Sequence, residues 1–453
     1  MTSPATPARD AWGTRAGFIL AAVGSAVGLG NMWRFAYKAS EGGGAAFVIV
    51  YLLIVALVGI PLMTSEFVVG RLAQQSPAQA IKRLGGKAWA PLGVLFVFCG
   101  LGILSYYSVI AGWTMRYAFD AIRNAIPSDT AGYFGAVATG PDALVIHLLF
   151  MALTIFIVAR GVKGGLERGN LIMMPLLFLI LIGLAVWATT LDGGGPGYAY
   201  YLKPRLGDVF NTTILAQGAG QAFFSLSLGM GAMMTYASYL SSRENLGREA
   251  TMVALSDSGV AFTAGLIVFP VMFAFGLNDQ IAQIGDSTVG ALFITLPAGF
   301  ERLGRVGDFV DTAFFVMLLF AALTSAISLL EVVVAAIVDG LHWTRGKAAL
   351  VAGGGIALLG VPSAFNTTFL GNMDALVGNF LLIVGGFFTA ILVGYKLLPQ
   401  ADAELAKGLE NVPARRAWAA LVRYVVPVVL FAVMVFLAKP TWEAVKGIVT
   451  FAR

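Results

Sequence analysis

The chain has 453 residues, of which 58% are hydrophobic and only 12% charged, and its mean hydropathy is +0.84. A soluble domain carries about 25% charged residues, so a water-soluble globule is excluded and an integral membrane protein remains. The lone Cys99 excludes an internal disulfide and a zinc site built from cysteines, and the net charge of +5 is scattered between apolar runs, which fits membrane topology and not a nucleic-acid partner.

In chain order, residues 1–14 are polar and read as a cytoplasmic N-terminal tail, with no cleavable signal peptide. A membrane span needs about 20 apolar residues. Spans are expected at 15–38, 45–70, 89–119, 142–160, 169–190, 213–240, 249–276, 308–341, 347–361, 375–397 and 418–438, eleven in all, the ninth being short. Placing the N-terminus inside puts most Lys and Arg on cytoplasmic segments, among them Arg15, Lys82, Arg83, Lys87, Arg160, Lys163 and Arg168. An odd number of spans then leaves 439–453 as an external C-terminal tail. The segment 278–305 is long for a loop and holds the short apolar run 291–297, so it reads as a re-entrant or capping element over the external mouth.

The first span contains Gly24-Ser25-Ala26-Val27-Gly28-Leu29-Gly30-Asn31-Met32-Trp33-Arg34. The glycines weaken the helix, and Asn31 and Arg34 stand where lipid tolerates neither. The sixth span carries a second interruption, Ser225-Leu226-Ser227-Leu228-Gly229-Met230-Gly231. Glycines also serve close helix packing, but packing does not call for Asn31 and Arg34. Paired breaks in matching positions point to an inverted-repeat transporter with a site at mid-membrane. Five spans, an odd number, separate the breaks, so the second repeat enters from the opposite side. The repeats are expected at 15–190 and 213–397, with 418–438 an additional span.

The polar residues inside the spans are oxygen donors: Asn31, Ser225, Asp257, and the adjacent Thr324 and Ser325. Oxygen-only sites suit alkali and alkaline-earth ions, here sodium, and not zinc or copper. For Thr324 and Ser325 the alternative is a hydroxyl bonded back to the preceding helical turn. For Asp257 it is a wet position near the cytoplasmic end. Arg34 and Asp374 sit at external span ends and form a candidate outer pair. Arg9, Trp12 and Asp339 lie near the cytoplasmic end as a candidate inner gate. Glu66, after Gly59-Ile60-Pro61, reads as support for an unwound helix whose amides need acceptors.

These residues carry a resemblance to the neurotransmitter:sodium symporter family, close to its bacterial amino-acid transporters. The segments are Trp12-Gly13-Thr14-Arg15, Gly24 to Phe35, Gly42-Gly43-Gly44, Gly59-Ile60-Pro61-Leu62 with Glu66, Gln221 to Gly229, Ala321 to Ser325, and Asp374. The resemblance implies an all-α, leucine-transporter-like bundle of five-plus-five inverted repeats with about eleven helices, spans one and six unwound at mid-membrane. It implies two sodium ions. The first would use the Ala26 carbonyl, Asn31, Ser225, Asp257 and a substrate carboxylate. The second would use the carbonyls of Gly24, Val27 and Ala321 with the hydroxyls of Thr324 and Ser325. Ala26, Gly28, Leu29, Gly30, Ile103, Tyr107, Phe224, Ser225, Ser227, Met230, Ser325 and Leu329 would line the substrate pocket. Tyr107 would bond the substrate carboxylate, and Phe224 would lid the pocket under Arg34 and Asp374. Monoamine transporters resembling this chain carry an Asp where Gly28 stands, so Gly28 implies a substrate that brings its own carboxylate. Chloride-dependent relatives carry Asn where Asp257 stands, which implies chloride independence. Gly165 and Pro175 are similar to a family pair that unwinds the start of span five toward the second sodium; the alternative is a helix start near Gly169 with a kink at Pro175. Ala36, Gly42, Val50, Ser225 and Met230 depart from the usual residues of the family.

The expectation is therefore a multi-pass cell-membrane symporter that imports hydrophobic L-amino acids, aromatic ones included, by sodium-driven alternating access. The competing reading is a membrane sensor that binds sodium and amino acid without transport. No organic cofactor, nucleic acid or obligatory protein partner is expected. An enzyme is not expected, because His147 and His342 lie far from the breaks and no nucleophile with an evident base appears.

Overall fold

The computed structural model describes residues 10–241, 244–277 and 288–451. Among these the chain is helical, with no strand. Lipid leaves few options here, since every backbone polar group in hydrocarbon must be satisfied within its own segment or by other protein groups.

Among the described residues, nine helices are long and apolar enough to cross a membrane unaided: Ala45–Ala73, Lys87–Ile122, Pro141–Ala159, Val162–Ala188, Leu246–Ala274, Arg305–Leu341, Arg345–Phe365, Thr367–Lys396 and Val412–Phe451. They correspond to spans two to five and seven to eleven. Span one is a bent pair, Arg15–Ala26 and Gly30–Glu41, turned by 59°. Span six is two pieces, Thr212–Ser225 and Ala232–Ala237, each too short to cross alone. The end of the bundle that holds Arg15 is called the near end below, and the end that holds Arg34 the far end.

Three expected boundaries are corrected. Span nine is a full-length helix, because 345–365 is wound beyond its apolar centre. Span ten begins at Thr367, so Asp374 lies inside the helix, at the start of a π-helical stretch over Asp374–Leu381. The expected tail after 438 continues span eleven to Phe451, with Pro440 inside the helix. Of the segment 278–305, residues 278–287 lie outside the described chain. Thr288–Glu301 is a helix whose Phe293 ring meets Trp113, Tyr117, Phe134 and Phe315.

Spans three and eight form the centre, with 72% and 78% of their apolar windows buried in protein, whereas span eleven has 28% and faces outward. Arms of spans one and six lie against this centre. At the near end a buried ion pair joins span two to the short helix Leu398–Ala406: Arg71 Nε meets Glu404 Oε1 at 2.6 Å. The same guanidinium donates to the carbonyls of Glu404 and Glu244. Lys407 Nζ also meets Glu404, at Oε2 and 2.6 Å, so loss of Arg71 removes the buried pair and its carbonyl bonds but leaves Glu404 one half-exposed partner. Arg71→Ala should therefore destabilise the protein by about 1–3 kcal/mol. A lowered thermal-unfolding midpoint in detergent checks this, and Arg71→Ala with Glu404→Ala should cost less than the sum of the single losses.

Candidate functional site

Both breaks come from local chemistry. The first helix arm ends at Ala26, and Val27 takes an extended backbone. In span six, Ser227, Gly229 and Gly231 all have positive φ, at 53°, 76° and 78°. Glycine adopts this region freely. Ser227 pays strain there, of order 1–3 kcal/mol, and is held by its Oγ donating to Ser25 O at 2.8 Å.

Side chains, two of them from distant spans, satisfy some of the freed backbone. Glu66 Oε1 accepts the Gly229 N–H at 2.8 Å. Gln221 Nε2 donates to Gly30 O at 3.0 Å. Asn31 Oδ1 accepts the Gly28 N–H at 2.9 Å.

Asp257 is fully buried, so its wet alternative does not hold. Its carboxylate accepts from Asn31 Nδ2 at 2.6 Å, Ser225 Oγ at 2.7 Å and Tyr51 OH at 3.1 Å. These partners are all neutral, so the negative charge is hydrogen-bonded but not neutralised. A cation on that face, beside Ser225 Oγ, would supply the balance, while the Asn31 amide is held with its nitrogen toward Asp257 and its oxygen toward the Gly28 N–H.

A second oxygen cluster joins spans one and eight. Ser325 Oγ lies 3.4 Å from Gly24 O and 3.3 Å from the carbonyls of Ser25 and Val27. Ser25 O is already taken by Ser227 Oγ, and one hydroxyl proton serves one acceptor well, so the Gly24 and Val27 carbonyls share the single Ser325 donor. Thr324 Oγ1 bonds back to Phe320 O at 3.0 Å and Ala321 O at 3.1 Å, as the back-bonding alternative has it, and this also places its oxygen beside the Ala321 carbonyl. The donor set is oxygen throughout, which fits an alkali ion. Among the described residues no group of three or more His, Cys, Asp or Glu is placed to hold a metal.

Between the breaks lies a small cavity. All twelve residues expected for the pocket line it, joined by Ser25 and Asn31. Leu29 N–H donates to Tyr107 OH at 3.4 Å, which sets the phenol at the cavity wall beside Ser325. Ile103, Phe224, Met230 and Leu329 make the apolar wall. Tyr107 and Phe224 also line a larger far-end vestibule with Arg34, Asp374 and Asn379. They are thus the partition between the two spaces. The Arg34 guanidinium sits 4.4 Å above the Phe224 ring centroid, a cation–π contact.

The expected direct pair of Arg34 and Asp374 is corrected. Asn379 stands between them: its Oδ1 accepts from Arg34 Nη2, and its Nδ2 donates to Asp374 O at 3.1 Å and Oδ2 at 3.2 Å. Tyr106 OH donates to Asp374 Oδ1 at 2.8 Å. In an α-helix, residue i+5 points about 140° away from residue i. The π-helical turn from Asp374 brings Asn379 alongside, a register that the sequence does not announce.

At the near end, Arg9 lies outside the described residues. Trp12 Nε1 donates to Tyr236 O at 2.9 Å, and its ring packs on Phe18, Tyr236 and Tyr239. Asp339 accepts the Ser76 N–H. Sequence reasoning missed the strongest contacts here. Arg345 pairs with the buried Glu331, which also accepts from Tyr239 OH at 2.7 Å. Arg15 Nε lies 2.9 Å from Glu249 Oε1. Glu167 of span five grips the start of span one, accepting from Gly13 N at 2.7 Å and Thr14 Oγ1 at 2.8 Å. The i, i+3 spacing of Thr14 before Gly17 signals a helix cap, but nothing in the sequence points from there to Glu167. The unwinding expected between Gly165 and Pro175 is absent from this conformation: Val162–Glu167 is π-helical and Arg168–Ala188 is α-helical, with Pro175 inside.

A family model described as the sodium:neurotransmitter symporter family matches residues 9–140 and 134–445. The chain is 36% identical over 448 residues to YhdH of Bacillus subtilis, an uncharacterized sodium-dependent transporter, covering 94% of this chain and 96% of that one. It is 27% identical over 403 residues to sodium-dependent nutrient amino acid transporter 1 of Drosophila erecta, covering 74% and 62%. A crystal structure of MhsT in complex with L-phenylalanine superposes with a TM-score of 0.86 at 39% identity, covering 94% and 99% of the two chains.

The partition is directly testable, since the lone Cys99 is buried. A reporter thiol from Ile103→Cys should be labelled about tenfold faster from the far-end side when Phe224→Ala is added, because labelling of a buried thiol follows its access. Unchanged labelling by a membrane-impermeant reagent would show that Phe224 is not the barrier.

Proposed function

We propose that this chain, which belongs to the sodium:neurotransmitter symporter family, imports a hydrophobic L-amino acid with sodium and without chloride. Its relatives are sodium-dependent transporters, and the chain is a multi-pass membrane protein and not an enzyme.

One observation carries the reading: a single cavity is walled by unwound backbone, the Tyr107 hydroxyl and side chains beside the unneutralised Asp257. Asp257, Asn31, Ser225 and the Ala26 carbonyl would hold a first sodium ion. Gly24, Val27, Ala321, Thr324 and Ser325 would hold a second. The amino acid's carboxylate would meet Tyr107, the Leu29 amide and the first ion. Its side chain would lie against Ile103, Phe224, Met230 and Leu329. The solved relative holding L-phenylalanine supports this class of side chain.

Gly28 supports a substrate that carries its own carboxylate. A Cβ at Gly28 would lie 2.6 Å from Ser325 Oγ and 3.3 Å from Tyr107 OH, so an acidic side chain at this position would have to displace both. Asp257 supports chloride independence, because the protein itself supplies the negative charge beside the first ion. The near end would face the cytoplasm, with residues 15–190 and 213–397 as the two repeats. Trp12 and Asp339, with Arg9, would close that end, while Phe224 and Tyr107 beneath Arg34 and Asp374 would close the other. Glu66 would support the break in span six, and Gly165 and Pro175 would bracket the segment that loosens when the near end opens.

Sodium that completes the carboxylate site must raise substrate affinity, and substrate must raise sodium affinity equally. Saturating sodium should raise L-phenylalanine affinity about 5–150-fold. Proteoliposomes with an inward sodium gradient should accumulate L-phenylalanine equally in chloride and gluconate. Binding without accumulation or counterflow would mark a sensor instead. Asp257→Asn should abolish uptake or make it chloride-dependent; unaltered, chloride-independent uptake by that variant would overturn the assignment of the first ion.

A further inference from the structure

Asn170 lies on span five and is fully buried. Its Nδ2 donates to Leu166 O at 2.8 Å, one turn back along the same helix. That bond fixes the amide's orientation, since exchanging N and O would set one acceptor against another. Oδ1 is left without a hydrogen-bond partner.

The free oxygen faces span one at Gly24. A Cβ added to Gly24 would collide with Asn170 Oδ1 and lie 3.1 Å from both Thr324 Cβ and Met174 Sδ. Gly24 and Thr324 both belong to the oxygen cluster between spans one and eight. Met174 has no proton to donate. A buried carbonyl oxygen without a donor is costly, and an intramembrane polar residue marks function by default.

We propose that Asn170 is a further cation ligand, its Oδ1 flanking the second oxygen cluster on the side of span five. The inference rests on reading that cluster as a sodium site. The residue adds a neutral oxygen where the cluster otherwise ends in apolar side chains. It links the ion to span five, whose Glu167 holds the start of span one. Loss of the ion would then be felt directly by the segment that latches the near end.

The test needs no substrate. Purified protein is titrated with sodium chloride against choline chloride at constant ionic strength, and the thermal-unfolding midpoint is read, since an ion that binds the native state stabilises it. Running the series in Asp257→Asn as well separates the second cluster from the first. Asn170→Ala should raise the sodium concentration for half-maximal stabilisation about tenfold, with Asn170→Ser as a second variant should Ala fail to fold. Asn170→Asp at pH 8.5, which adds negative charge beside the ion, should lower it. Wild-type sodium dependence with an unmoved midpoint in Asn170→Ala and Asn170→Ser would overturn the inference alone. So would a shift of the same sign in Asn170→Asp and Asn170→Ala. A wild type indifferent to sodium would overturn the proposed function itself.

Discussion

A helix broken inside hydrocarbon must hand its freed amides and carbonyls to something within the protein, and the rest of this structure depends on how that debt is divided. Part of it goes to side chains from other spans. Glu66 takes the Gly229 amide, Gln221 covers the Gly30 carbonyl and Ser227 reaches across to Ser25. What these side chains leave unclaimed is the site. The carbonyls of Gly24 and Val27 share one hydroxyl of Ser325, and the Asp257 carboxylate has hydrogen bonds but no countercharge. The groups that folding leaves unsatisfied are therefore gathered around the two breaks.

The two ends of the bundle are built differently. At the far end the barrier is thin: one aromatic ring under one guanidinium, with Asn379 between that guanidinium and Asp374. A neutral amide between the opposite charges bridges them in place of a direct pair. At the near end the barrier is thick. Trp12 is set among aromatic rings, and Arg15, Arg345 and Glu167 tie span one and its neighbours together. Fewer side-chain contacts hold the far end than the near end.

Much of this was legible along the chain. The two breaks, the oxygen-donor inventory and the pocket-lining residues are visible because small, hydroxylated and acidic residues are out of place in a lipid-spanning run. Legibility failed where position along the chain does not give position in space. Asn379 meets Arg34 only because a π-helical turn changes which face residue i+5 occupies. Glu167 and Asn170 read as ordinary polar residues at a span entry until span one packs over them. Span eleven extends beyond its apolar centre, since its end is set by helix continuation and not by hydropathy.

The sequence by itself determined that this is a membrane bundle, that two of its helices break, and that the breaks expose oxygen ligands suited to sodium and not to a transition metal. These follow from transfer energetics, which act on each residue where it stands. Only the tertiary structure decided which freed groups remain unpaired, that Asn379 separates Arg34 from Asp374, and that Asn170 presents a free oxygen to Gly24. Those outcomes depend on partners far away in the chain, and a hydrogen bond forms or fails on displacements of under an ångström that packing alone sets.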